Sequence, residues 1–168
     1  MNTIDIILLL LILVPGLITG LTKGFIHQVV TLAALWLGAL MSAQFATSVG
    51  SFIQSLVSLP GNTSRILAFI LIFILVYIAL RLVGAIIMKI AKDIVGGGID
   101  KLLGIVLGIL KQALVIGLLV LLFDMVNNTL TLVGKETLDA SFMYGSLQEA
   151  ANAVFPFIKS LIMKGIAG

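Results

Sequence analysis

The sequence is poor in the residues that most enzymes and metalloproteins use for chemistry. It contains no cysteine and a single histidine, His27. Without thiols the chain cannot form disulfides, thiolate nucleophiles or cysteine-ligated metal sites, and one imidazole cannot supply a histidine cluster for zinc or haem. His27 also lacks a recognisable serine and aspartate pattern for nucleophilic catalysis. We therefore expect no metal, no cofactor and no enzymatic activity.

Charged side chains are also scarce. They make up 10% of the 168 residues, whereas soluble domains have about 25%, and hydrophobic residues make up 61%. A composition so apolar cannot cover a water-soluble domain with polar surface. The formal net charge of +3 is spread along the chain without a basic run, which favours contact with lipid headgroups over nucleic acid.

Four long apolar segments occupy most of the chain. They run from Ile4 to Thr19, Phe25 to Val49, Ile66 to Met88 and Leu102 to Phe123. Each is long enough, or nearly long enough, to cross a hydrocarbon core of about 30 Å as a helix of about 20 residues. An open sheet edge in lipid would leave backbone groups unpaired, so we interpret all four as helices. The sequence predicts an all-α fold, with an integral membrane bundle of four transmembrane helices in residues 1–126.

The first segment raises the question of a cleaved signal peptide, which needs a cationic region before the apolar run and a small-x-small cleavage site after it. Asp5 is the only charged side chain ahead of this run, and Leu17-Ile18-Thr19-Gly20 is a poor cleavage site. We therefore expect the segment to be retained as a transmembrane span.

Residues 127–168 are predicted to form a polar linker and an amphipathic C-terminal helix. Ser146 and Glu149 have the spacing of a capping box, and apolar residues follow at the three- and four-residue intervals of one helix face. Glu149, Pro156 and Lys159 interrupt this pattern. We therefore expect the helix to lie on the membrane surface or against the bundle rather than to form a fifth span.

Basic residues indicate the orientation of the chain in the membrane. Lys23, Lys89, Lys92 and Lys101 lie in the first and third connections between spans, whereas the second connection carries only Arg65. The positive-inside rule then places the first and third connections in the cytoplasm and both termini outside it.

Glycines recur at four-residue spacing in the first and last segments, as Gly16, Gly20 and Gly24 and as Gly104 and Gly108. Small residues at this spacing let two helices approach closely in a membrane. The first three glycines are equally consistent with a turn between spans one and two, and the sequence leaves both interpretations open.

Two ionisable residues lie inside the predicted spans. Arg81 and Lys111 are at similar distances from the third connection, so one functional interpretation is an anion-attracting or headgroup-binding site in the cytoplasmic half, with hydrogen bonds from Tyr77 and Gln112. The alternative is that both long side chains extend to the near interface. The candidate polar locus comprises five charged residues: Lys23, Arg81, Asp100, Lys101 and Lys111.

Two short motifs resemble those of the colicin V production protein family of bacterial inner membranes. They are Thr22-Lys23-Gly24-Phe25 after the first segment, and Asp100-Lys101-Leu102-Leu103-Gly104 followed by Gly108 and Lys111 in the last. The similarity covers about Ile4 to Asp124. Members of this family often carry an acidic residue four positions after the turn glycine, where this chain has Gln28, so no role for that acid is carried over.

The resemblance implies a multi-pass inner-membrane protein linked to colicin V production or export and to envelope physiology. We expect a scaffold or accessory component of toxin export and envelope maintenance, with membrane lipids, other envelope proteins or a second copy of the chain as partners. One alternative is a small channel or transporter whose pathway is lined by Arg81 and Lys111. Another is a membrane anchor that recruits a soluble partner through the connection from Lys89 to Lys101.

Overall fold

Three long helices dominate the computed structural model, which describes residues 2–91 and 97–160. In chain order the elements are α1 (Thr3–Leu56), α2 (Gly61–Ala91), α3 (Gly98–Leu130), α4 (Lys135–Asp139) and α5 (Phe142–Val154). Helices α1, α2 and α3 are long and apolar enough to cross a membrane. The all-helical prediction is therefore confirmed for the described residues, with three helices that could span a membrane. Lys92, which bears on the predicted orientation, and residues 161–168 of the predicted C-terminal helix lie outside the described residues.

The four predicted spans correspond to three long helices, because the segments 4–19 and 25–49 both belong to α1. A straight helix of 54 residues would extend about 80 Å, far beyond a hydrocarbon core of about 30 Å. Helix α1 is not straight: Gly24 has φ 73° and ψ −179°, which is not helical. A glycine adopts positive φ without a Cβ clash. Gly24 thus divides α1 into an N-terminal arm, residues 3–23, and a C-terminal arm, residues 25–56.

The N-terminal arm packs closely against α3. Gly16 lies on Ile109 and Gly20 lies on Ile105, so positions on α3 decrease as the arm proceeds and the two run antiparallel. A Cβ added at Gly20 would lie 2.5 Å from the Cα of Ile105. The absence of side chains at these glycines is what allows the two backbones to approach so closely.

The C-terminal arm runs along α3 in the opposite direction. Gln28 contacts Lys111, and Leu35 packs in the same cluster as Leu118, so positions on α3 increase as this arm proceeds. The chain therefore folds back at Gly24. Helix α3 lies beside both arms and joins them.

Helix α2 packs on the C-terminal arm. Gly84 lies against Val30 near one end of the pair and Gly50 lies against Arg65 near the other, so the two run antiparallel. The outer face of α2 exposes large apolar side chains, among them Leu82. Such a surface suits lipid as its surroundings rather than water.

Helix α5 lies against the bundle and is held at both ends by polar contacts. The buried Asp5 carboxylate accepts hydrogen bonds from Ser141 Oγ at 2.6 Å and from the Met143 amide at 2.9 Å. At the other end, Trp36 Nε1 donates to the Val154 carbonyl at 3.0 Å. Ser141 is also the N-cap of this helix.

The predicted start of the C-terminal helix at Ser146 is therefore wrong. Ser146 lies inside α5, and the helix begins at Phe142 because Ser141 Oγ accepts a hydrogen bond from the Tyr144 amide at 3.2 Å. The buried Asp5 carboxylate lies beside these first amides and stabilises the positive end of the helix dipole. The capping bond of Ser141 is local, but its hydroxyl also donates to Asp5, 136 positions away, and no local pattern shows that contact.

We predict that Gly20→Ala separates the N-terminal arm from α3 and lowers the free energy of unfolding by about 1–3 kcal/mol, the usual cost of overpacking. Thermal unfolding in detergent micelles measures the change. Gly145→Ala in α5 is the matched control, because a Cβ there meets nothing within 4 Å and the same change in helix propensity applies. Equal stability of the two variants would contradict the close contact.

Candidate functional site

The beginning of the C-terminal arm and the beginning of α3 meet through one carboxylate. Asp100 Oδ1 accepts a hydrogen bond from the Phe25 amide at 3.0 Å. This amide is at the start of the C-terminal arm, where the first N–H groups of a helix have no partner within it. Asp100 also lies in the first turn of α3. One negative charge therefore stands at the positive ends of two helices, where it stabilises both.

Gly24 leaves open the space that this carboxylate occupies. A Cβ at Gly24 would collide with Asp100 Oδ2, and the positive φ of Gly24 would strain any other residue. The sharp reversal of α1 thus requires glycine for two reasons, its backbone conformation and the space that Asp100 fills.

The contact continues from this turn along α3. A Cβ at Gly104 would lie 2.7 Å from the Gly20 carbonyl oxygen and 3.0 Å from the Gly24 Cα, and one at Gly108 would collide with the Gly16 carbonyl. These five glycines therefore form one continuous surface between the N-terminal arm and α3. Backbone atoms, rather than movable side chains, set its spacing.

Lys111 and Gln28 form the second polar contact of this region. Lys111 Nζ donates to Gln28 Oε1 at 2.7 Å. Gln28 is fully buried, and its Nε2 has no hydrogen-bond partner among the described residues. Lys111 is half-buried and lies about 20 Å along α3 from Gly98. Side chains on a helix tilt toward its N-terminus, so the Lys111 side chain points toward the end of the bundle that contains Gly24. Gln28 lies four residues after Gly24, at the same end.

A cavity of about 260 Å³ opens beside the turn. Its polar lining comes from Thr22, Lys23, His27 and Asp100. His27 Nδ1 lies 2.9 Å from Met88 Sδ at the edge of α2. The cavity therefore lies between the N-terminal arm, the C-terminal arm, α2 and α3, at the end of the bundle that contains Lys23 and Asp100.

The structure distributes the candidate polar locus unevenly. Lys23 and Asp100 line the same cavity, and Lys111 lies deeper in the bundle on Gln28. Arg81 is exposed on α2 and Lys101 is exposed on α3.

Two residues of this region have partners that sequence reasoning did not identify. Tyr77, expected to hydrogen-bond near Arg81, stacks on Phe73 with ring centroids 5.7 Å apart. Gln28 stands where the family often has an acidic residue, yet it accepts a hydrogen bond from Lys111, the last residue of the family motif. The residues described contain no group of three or more His, Cys, Asp or Glu side chains that could hold a metal ion.

We predict that Asp100→Ala lowers the free energy of unfolding by about 1 kcal/mol, the usual cost of losing a helix cap. Asp100→Asn keeps an oxygen acceptor for the Phe25 amide but loses the charge, so its cost is expected to be smaller. Thermal unfolding in detergent distinguishes them. Lys101→Ala, an exposed neighbour, is the control and should unfold as the wild type does. An unchanged midpoint for Asp100→Ala would show that the cap is unimportant.

Comparison with known proteins identifies a family. The sequence model of the family described as Colicin V production protein matches residues 4–152. The matched range contains nearly all of α1, all of α2, α3 and α4, and most of α5. No curated protein and no solved structure matches the chain.

Proposed function

Because the chain belongs to the colicin V production protein family, we propose that it is a bacterial inner-membrane scaffold or accessory protein. Membership supports a role linked to colicin V production. The proposal is that the protein assists the production or export of this toxin and helps to maintain the envelope, without catalysing a reaction. Its partners are then membrane lipids and other envelope proteins or a second copy of the chain.

One observation carries the scaffold role: the residues of the family pattern contact one another. The Asp100 carboxylate fills the space beside Gly24, and Gly104 packs on the N-terminal arm. Near the same turn, Lys111 donates a hydrogen bond to Gln28. Residues engaged in holding helices together support a rigid helical hairpin whose outer faces remain free for partners. Lys111 donates to Gln28 and Arg81 is exposed on α2, an arrangement that by itself does not favour a pathway lined by both.

The same contacts support a topology with four crossings. The two arms of α1 run in opposite directions along α3, so α1 is proposed to cross the membrane twice, and α2 and α3 once each. Lys23, Lys89 and Lys101 fall at the Gly24 end of the bundle. The positive-inside rule then places that end in the cytoplasm and the N-terminus outside it.

Cysteine labelling in intact cells tests this topology, and the natural chain has no cysteine to interfere. We expect a membrane-impermeant maleimide to label Thr3→Cys and Ser55→Cys in intact cells, and Thr22→Cys only after permeabilisation. All three positions are exposed in the fold. Labelling of positions 3 and 55 from opposite sides of the membrane would contradict two crossings by α1. Labelling of position 22 alone would reverse the proposed orientation.

Toxin secretion tests the proposed role. A strain that makes colicin V but lacks this protein is expected to release less toxin, and the wild-type chain should restore release. Gly24→Ala is expected to restore it less well, because the turn is strained by any side chain, whereas Lys101→Ala should restore it fully. Normal secretion without the protein would contradict the role. A hydrolytic activity of the purified chain that one substitution abolishes without unfolding it would contradict the absence of catalysis.

A further inference from the structure

The cavity beside the turn of α1 is lined by side chains of both charges. Lys23 is exposed, and His27 and Asp100 are partly exposed, so all three are open to a ligand from outside the bundle. In the described part of the chain, Asp100 is bonded to the Phe25 amide rather than to Lys23. A carboxylate has about four acceptor positions. Asp100 can therefore accept further hydrogen bonds in the cavity while it caps the helix.

His27 offers a second acceptor. The thioether sulfur of Met88 carries no hydrogen, so the contact at 2.9 Å makes His27 Nδ1 the donor. In the neutral ring the other nitrogen, Nε2, is then an acceptor. The Lys23 ammonium, by contrast, supplies only donors. The lining of this one cavity thus combines two acceptors, on His27 and Asp100, with one cationic donor group.

The charges around the cavity favour a ligand that carries both signs. Lys23, Lys111 and Arg81 are the charged side chains that act on His27, and because all three are positive they oppose a bare cation. A bare anion suits Lys23 but meets the Asp100 carboxylate in the same cavity. A phosphate and a primary ammonium on one molecule suit both side chains, since each forms charge-assisted hydrogen bonds, the phosphate with Lys23 and the ammonium with Asp100.

The apolar part of the same cavity lies on its membrane side. Ile26 follows Gly24 into the C-terminal arm, and Met88 precedes Ala91 on α2, which runs toward this end of the bundle. Ile26 and Met88 are therefore deeper than Lys23, and the polar and apolar groups occur in the same order as in a phospholipid of that leaflet. The volume of about 260 Å³ is below the range of about 300–1,000 Å³ for larger ligands, so it suits a small headgroup.

We propose that this cavity binds the headgroup of a phospholipid with a primary amine, of the phosphatidylethanolamine class. The lipid phosphate contacts the Lys23 ammonium, and the lipid ammonium contacts Asp100 and His27 Nε2. The acyl chains leave the cavity past Ile26 and Met88. This inference rests on the membrane lipids named as partners in the proposed function and adds which lipid is bound. Lipid binding by the purified chain and toxin release by cells are measured separately, so the failure of one is distinguishable from the failure of the other.

Native mass spectrometry of the full chain in detergent tests the proposal. With the dioleoyl forms of phosphatidylethanolamine, phosphatidylcholine and phosphatidylglycerol added in equal amounts, the wild type is expected to retain the ethanolamine lipid preferentially. The choline lipid has no N–H donor, and the glycerol lipid has no cation. Asp100→Asn keeps an oxygen acceptor for the Phe25 amide but loses the charge, so the preference for the ethanolamine over the choline lipid should fall about tenfold. Lys101→Gln removes a charge from the same end but outside the cavity lining, and this control is expected to bind as the wild type does.

A second variant tests the other acceptor and leaves the cap on the Phe25 amide intact. His27→Phe keeps an aromatic ring but loses Nε2, so the preference for the ethanolamine over the choline lipid is expected to fall several-fold. This variant decides the matter if Asp100→Asn does not fold, which circular dichroism and gel filtration report.

Three results would overturn the proposal: equal retention of the three lipids by the wild type, preferential retention of phosphatidylglycerol, or an unchanged preference in the folded variants. The lipid is expected to stay bound in millimolar soluble phosphoethanolamine, because its acyl chains also contact the protein. Complete displacement by that solute would assign the cavity to a free zwitterion and overturn the lipid as occupant.

Discussion

The hydrogen bond between the Asp100 carboxylate and the Phe25 amide is the contact on which the arrangement of the helices depends. A long apolar helix that reverses direction leaves the first N–H groups after the turn without partners within the helix. Asp100 supplies an acceptor from another helix, at the start of α3. The reversal of α1 and the beginning of α3 are thereby fixed at the same point. Gly24 is the residue whose backbone and missing side chain make room for it.

The remaining contacts of the bundle follow from this closure. With both arms held against α3, glycines bring the N-terminal arm to backbone contact, and the buried cluster around Leu35 and Phe69 joins the C-terminal arm to its neighbours. In a membrane the hydrophobic effect does not drive helices together, so helices associate through close packing and through hydrogen bonds between them. Polar side chains are accordingly few, and Asp5, Trp36 and Asp100 each join segments that are distant in sequence.

The helical, membrane-spanning nature of the chain could be predicted because it follows from local composition: runs of apolar residues long enough to cross lipid are visible without any partner. The family pattern was also visible, as short motifs in a fixed order. The continuity of α1 was not predicted, because Lys23 and Gly24 have the composition of a connection, yet helical hydrogen bonding resumes directly after the turn. A single non-helical residue separates the arms.

Contacts across the bundle were beyond sequence reasoning. Ser141 contacts Asp5 over 136 positions and Lys111 contacts Gln28 over 83, and no local periodicity reports such pairs. Arg81 and Lys111, grouped for their charge and predicted depth, lie on different helices as expected, with Arg81 exposed and Lys111 half-buried on Gln28.

The distance between the two arms of α1 is the most direct test of the fold-back. Spin labels at the exposed positions Ile6 and Phe45, attached through cysteines and measured by pulsed electron resonance in lipid nanodiscs, report it. Neighbouring helices lie about 10 Å apart axis to axis, so two arms that both pack on α3 have axes no more than roughly 20 Å apart, and the labels should report a distance of this order. A distance of about 60 Å, the length of a straight helix between these positions, would contradict the reversal at Gly24.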